Sequence, residues 1–189
     1  MLATLAQRTL ILLLTGVMAG CGFQLRGAAP VSAAIQPLAV VCDGAVPLTL
    51  CQAVEEQLRL GDVRVVDRPK ADYVLKLSNY SQSRRASAIT RNAVAAEYTL
   101  RQRVIMSVVT ADQVPLVADQ EIASSEAYRY DQSNILAKQR EQEALTETLN
   151  QRLAQQVIFR LAPLTEARIQ ALRNSVRGAD SKPTPGGQP

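Results

Sequence analysis

Glu97-Tyr98-Thr99-Leu100-Arg101-Gln102-Arg103-Val104-Ile105-Met106-Ser107-Val108-Val109 alternates with a period of two. Tyr98, Leu100, Val104, Met106 and Val108 fall on one face, and Thr99, Arg101, Arg103 and Ser107 on the other. That pattern predicts a long strand with one face in a core and one face wet. Downstream, Ala111-Asp112-Gln113 reads as a hairpin turn. A further strand is expected from about Leu116 to Tyr130, its alternation blurred near Ser124-Ser125 in the manner of a bulge. A long helix then runs from about Asn134 to Leu161. Its Leu145, Leu149, Leu153, Val157 and Leu161 recur every four residues, with Ala154 and Ile158 beside them, as suits packing on a sheet. This stripe is read as core in preference to a partner interface. Pro163 ends the helix, because proline lacks the N–H and clashes with the preceding turn. A weaker helical pattern, Leu164 to Val176, is expected to fray, and beyond Gly178 the Pro/Gly-rich chain reads as disordered.

Upstream, a second alternation starts at Ala71: Tyr73, Leu75 and Leu77 point one way, Lys76 and Ser78 the other. Val63–Val66 reads as a short strand cut off by Asp67-Arg68-Pro69. Pro47 to Leu60 has helical spacing, with Cys51, Val54 and Leu58 on one face, Pro47 near the start and Gly61 just past the end. Leu38-Ala39-Val40-Val41 suits a buried strand, followed by an Asp43-Gly44 turn. Residues 28–37, with Pro30 and Pro37, read as an extended tether. Strand, helix and strand imply a right-handed parallel crossover, and the later strands an antiparallel meander. The expected fold is α/β: a two-layer sandwich of a four-stranded mixed sheet with two helices on one face. Arg101 and Arg103 favour a wet or polar contact for the other face.

The first twenty residues read as a signal. Arg8 supplies positive charge, Leu10–Leu14 an apolar run, and Met18-Ala19-Gly20 a small-residue cleavage approach. The run is too short to span a bilayer, which takes about 20 apolar residues. Ala19-Gly20-Cys21 matches the core of a lipoprotein cleavage box, so Cys21 is the expected lipid attachment site and export the expected fate. A soluble periplasmic protein with a chance cysteine is the competing reading. Removing residues 1–20 from the 189 leaves 169, enough for one core. The expected organisation is a signal over 1–20, a lipidated tether over 21–37, one domain over 38–163 and a weakly helical, then disordered, tail over 164–189.

Arg8 leaves with the signal, so 20 of 21 basic side chains and all 17 acidic ones remain, a net charge of +3. So mild an excess does not argue for nucleic acid, and export makes that partner still less suitable. The chain has no histidine, which removes the commonest general base and metal ligand. Two cysteines remain besides Cys21, too few for a zinc cluster. Ser-His-Asp and Cys-His machinery is therefore impossible. Carboxylate-only, Ser-Lys and lysine-based chemistry stay open in principle, but no motif points to any of them. No cofactor is implied. Cys42 and Cys51 sit at a strand end and a helix start in a chain expected in an oxidising compartment. A structural disulfide follows if their Cα atoms come within about 7 Å, and two small buried thiols if they do not.

Cys21-Gly22-Phe23-Gln24-Leu25-Arg26-Gly27, then Ala96-Glu97-Tyr98, then Tyr130-Asp131 with Leu136-Ala137-Lys138, occur in an order that resembles the LptE family of LPS-assembly lipoproteins. The resemblance extends from Cys21 to about Leu161. It implies a non-catalytic protein seated one-to-one as a plug in the lumen of the outer-membrane barrel LptD. Such a protein assists barrel assembly and binds lipopolysaccharide bound for the cell surface. Gly22, where an aspartate would favour retention in the inner membrane, implies anchoring in outer-membrane lipid. Arg91 and Lys138 match family positions associated with lipopolysaccharide. Arg84 and Arg85 lie in the same basic segment, with Asn92, and an arginine fork suits the phosphates of lipid A and core sugars. Against these stand a solvated loop tip and an ordinary helix-surface lysine. The rival function is a lipoprotein that scaffolds another periplasmic envelope complex. The five tyrosines lie in or beside strands and read mainly as packing residues.

Overall fold

The structure is a computed structural model and describes residues 31–89, 95–129 and 135–180. Its strands are β1 (Leu38–Cys42), β2 (Tyr73–Ile89), β3 (Ala95–Thr110) and β4 (Pro115–Arg129). Its helices are α1 (Leu48–Leu60), α2 (Ile135–Leu161) and α3 (Glu166–Asp180). The sheet order is β1-β2-β3-β4. β1 runs parallel to β2 through α1, and the remaining pairs are antiparallel. This is the mixed α/β sheet expected from the strand-helix-strand start and the later meander. No helix among the described residues is long and apolar enough to cross a membrane.

The inward residues of the meander are those the alternation picked out. Leu75, Leu77, Val104, Met106 and Val108 pack with Leu50, Val54 and Leu58 of α1 and Leu153, Val157 and Leu161 of α2. A second cluster, Leu100, Tyr128 and Leu149, lies farther along the strands. The β3–β4 turn falls where expected: Gln113 N–H donates to the Thr110 carbonyl at 2.9 Å, and Val114 N–H to the Thr110 hydroxyl at 2.9 Å. Cys42 and Cys51 form a disulfide with a Cα–Cα separation of 6.4 Å, joining the end of β1 to the first turn of α1.

Four features differ from the sequence reading. Val63–Val66 is not a full strand: Val65 alone bridges β1, at Leu38, because Gly61-Asp62 and the Arg68–Lys70 turn leave little chain between them. The ladder is continuous through Ser124 and Ser125, opposite Gln102 and Arg101, so no bulge lies there. The alternation fades because the inner face turns polar at this level, with Gln82 against Gln102. The register shifts in β4 instead fall between Gln120 and Val117 and between Val117 and Pro115. The expected tether is already packed at Val31 and Ile35, whose side chains are buried in the main core. Finally, the weaker helical pattern does not fray where described. Leu164 and Ile169 are buried in the same core, and Arg173 reaches Asp112 of the β3–β4 turn at 3.7 Å.

One bulge governs where the site residues point. Ser78 pairs with Ile105 but Ser81 with Arg103, so β2 holds one extra residue at Asn79-Tyr80. Asn79 takes φ 52°, a left-handed conformation that asparagine tolerates better than most residues. Asp43 anchors the kink: its carboxylate accepts from Asn79 N–H at 3.1 Å and from Ala45 and Val46 N–H at 2.9 and 3.2 Å. Odd positions face the helices before the bulge, and even positions from Tyr80 to Ala86 face them after it.

Candidate functional site

β2 runs on to Ile89 and pairs with β3 up to Ala95, so Arg84 and Arg85 are strand residues and not part of a loop tip. Consecutive strand residues face opposite ways. Arg84 therefore points to the helix side. Its guanidinium stands 4.7 Å from the centre of the Tyr98 ring and donates to Gln142 Oε1 of α2 at 3.0 Å. The Tyr128 hydroxyl donates to the same oxygen at 3.1 Å, and the Tyr98 and Tyr128 rings lie 6.1 Å apart. Arg84 is thus built into a polar seam between sheet and helix. Gln102 and Tyr80 continue that seam: Gln102 Nε2 donates to Gln82 Oε1 and to the Thr146 carbonyl, each at 3.2 Å. Tyr80 donates to Gln82 Oε1 at 3.0 Å, and burial raises its phenol above the ordinary value, favouring the neutral donor.

Arg85 points the other way, to the side that no helix among the described residues covers. The ladder pairs Arg85 with Thr99, Ser83 with Arg101 and Ser81 with Arg103. The three arginines therefore lie along one concave strip, a groove of about 430 Å³. Arg103 Nε donates to Ser81 Oγ at 2.6 Å. Glu121 of β4 lies 3.7 Å from Arg101 and 3.9 Å from Arg103, and all three side chains are about half exposed (56%, 55% and 47%). Such pairs are weak and easily exchanged for another anion.

Lys138 lies on α2, against the opposite face of the sheet. Its ammonium meets Glu141 at 2.6 Å and is the more buried partner, 21% exposed against 46%. Cys21 and Arg91, with Asn92 and the Gly22–Gly27 stretch, lie outside the described residues. Of the predicted site residues, the fold separates Arg84 from Arg85 across the sheet and brings Arg85 together with Arg101 and Arg103. The alternation of β3 had placed those two on the wet face without singling them out as a site. No group of His, Cys, Asp and Glu side chains suited to a metal occurs among the described residues.

A family model described as "LptE: Lipopolysaccharide-assembly" matches residues 35–161, from the turn before β1 to the end of α2. An LPS-assembly lipoprotein LptE of Pectobacterium atrosepticum is 33% identical over 172 residues, covering 87% of this chain and 88% of the relative. One from Yersinia enterocolitica is 33% identical over 159 residues, covering 82% and 74%. Among solved structures, lipoprotein B of Nitrosomonas europaea superposes with a TM-score of 0.60 at 21% identity, over 72% of this chain and 88% of that one. The rare lipoprotein B of Shewanella oneidensis gives 0.53 at 23% identity, over 76% and 98%. At these identities the two structures speak for the fold.

Proposed function

The chain belongs to the LptE family of lipopolysaccharide-assembly lipoproteins, and from that membership we propose how it acts. It is a non-enzymatic envelope lipoprotein of lipopolysaccharide assembly. In the proposed reading Cys21 carries the lipid and anchors the chain in the outer membrane. The folded domain plugs the LptD barrel and helps it assemble. Lipopolysaccharide is held by cations, with Arg91 and Lys138 as its first contacts and Arg85 as a further cation on the helix-free face of the sheet. Arg84 serves the same end indirectly, by stiffening the sheet against α2.

One observation supports this reading most: the long part of the sheet is finished on one side by helices and left wet and basic on the other. A barrel lumen is itself polar and hydrated, so a plug needs a surface that remains stable against water and polar walls. An apolar face there would favour aggregation before assembly.

Purification from the native envelope in detergent tests the partner. A large β-barrel retained at one-to-one stoichiometry is expected, and recovery of a different envelope complex in its place would favour the scaffold reading. Cys21→Ala protein exported with a soluble signal should still bind the barrel, since folded contacts and not acyl chains hold the plug. Arg91→Glu/Lys138→Glu protein should lose lipopolysaccharide binding, and unchanged binding would sink that assignment.

A further inference from the structure

The groove on the helix-free face carries more positive charge than its own structure uses. Arg85, Arg101 and Arg103 line it, with the hydroxyls of Ser83, Thr99 and Ser125 between them. Glu121 is the carboxylate that meets Arg101 and Arg103, and at 3.7 and 3.9 Å it sits beyond direct hydrogen-bond length from both. Arg103 is oriented by Ser81, which accepts its Nε–H, while its Nη1 lies 3.9 Å from Glu121 and its side chain lines the groove. Guanidinium forks with nearby hydroxyl donors match an anion that offers several acceptor oxygens, as a phosphate monoester does. The size adds a second constraint. About 430 Å³ falls within the range of small-molecule sites and would leave a bare phosphate mostly surrounded by water. Serine and threonine hydroxyls interleaved with the cations suit the hydroxyls of a sugar.

We propose that this groove is a second anion subsite, which takes a phosphorylated sugar on the face of the sheet opposite the helix that bears Lys138. The proposal rests on the reading above for the kind of polyanion the chain meets, and on the groove's geometry for the place. Glu121 acts as a placeholder that keeps Arg101 and Arg103 extended and yields them to the ligand.

The full mature chain in detergent, titrated with a glucosamine disaccharide bisphosphate lacking acyl chains, tests this. The side-chain Nε–H NMR signals of Arg101 and Arg103 should shift, and Arg101→Gln/Arg103→Gln should weaken binding about tenfold or more. Arg168→Gln, an exposed charge on α3, should change it less than about twofold. Melting temperature should be unchanged in the double variant, because both side chains are more than half exposed. Undiminished binding by the double variant overturns the proposal, as does equal binding of the unphosphorylated disaccharide. Inorganic phosphate that binds as tightly as the disaccharide overturns the sugar assignment. In the separate purification from the native envelope, a double variant that keeps the disaccharide but no longer retains the barrel makes the groove a protein contact and overturns it too. The titrated ligand has no acyl chains and the titration contains no barrel, so its failure leaves the plug reading standing.

Discussion

Gln102 marks the level at which the inner face of the sheet turns from apolar to polar. Its side chain is fully buried, its amide donates to Gln82 and to the Thr146 carbonyl, and its Oε1 has no partner among the described residues. A buried acceptor without a donor forfeits desolvation free energy, so the wild-type glutamine is far from the most stable choice here. Gln102→Leu should change stability by about 1 kcal/mol or less, since Gln82 Oε1 keeps the Tyr80 hydroxyl as donor and the volume is nearly conserved. Gln102→Ala should cost about 2 kcal/mol more than the leucine variant, through the cavity it leaves. Urea unfolding of the two variants checks this. A leucine variant as unstable as the alanine one would mean that the hydrogen bonds, and not the filled volume, matter at this position.

Among the described secondary-structure elements, β1 and α1 are joined covalently. The Cys42–Cys51 bond spans a sequence separation of 9, and Asp43, one residue on, ties the same corner to the β2 bulge. Loop-closure entropy for so short a ring corresponds to about 2–3 kcal/mol of stability. Cys42→Ser/Cys51→Ser should therefore lower the unfolding free energy by that amount, with the sheet intact by circular dichroism. Reductant should destabilise the wild-type chain equally and leave the double variant unaffected. A reductant effect that persisted in the variant would contradict this assignment.

For the domain as a whole, an ion pair at the β3–β4 turn adds to the apolar docking of α3 through Ile169. Asp112 has its carboxyl held below the ordinary value of 3.8, first by the Thr110 hydroxyl, against an opposing effect of burial, then by its own backbone N–H and to a lesser degree by Arg173 and Arg177. A carboxyl whose folded value is depressed stabilises the folded form above its unfolded value and loses that contribution as pH falls through the folded one. The window here lies below about 3.8. Because the pair is exposed to solvent and screened, the effect should be local. Hydrogen exchange along α3 should accelerate relative to α2 as pH falls below that value, and Asp112→Asn should show the faster exchange already at neutral pH. Equal acceleration of both helices would mean that the domain loosens globally and not at this contact.

The alternation of residues 97–109, the four-residue leucine spacing of 145–161 and the Pro163 stop each specify a local structure, and all three reappear in the fold. They depend on backbone period and on apolar residues seeking one side, both of which are set within a dozen neighbouring residues. The parallel crossover and mixed sheet follow from the order of such segments. The faces of the arginines are another matter. Strict alternation from Tyr73 would send Arg84 to the wet side, and the extra residue at Asn79-Tyr80 exchanges the two faces, putting Arg84 over Tyr98 and Arg85 beside Arg101. That bulge is held by Asp43, 36 residues away, a contact that no local period encodes. The packing of Val31 and Ile169 into the core escapes the sequence for the same reason: each buries itself against residues distant in the chain. A sequence displays which residues wish to be inside. Which of the charged ones come to share a face depends on register, and register is set by long-range pairing.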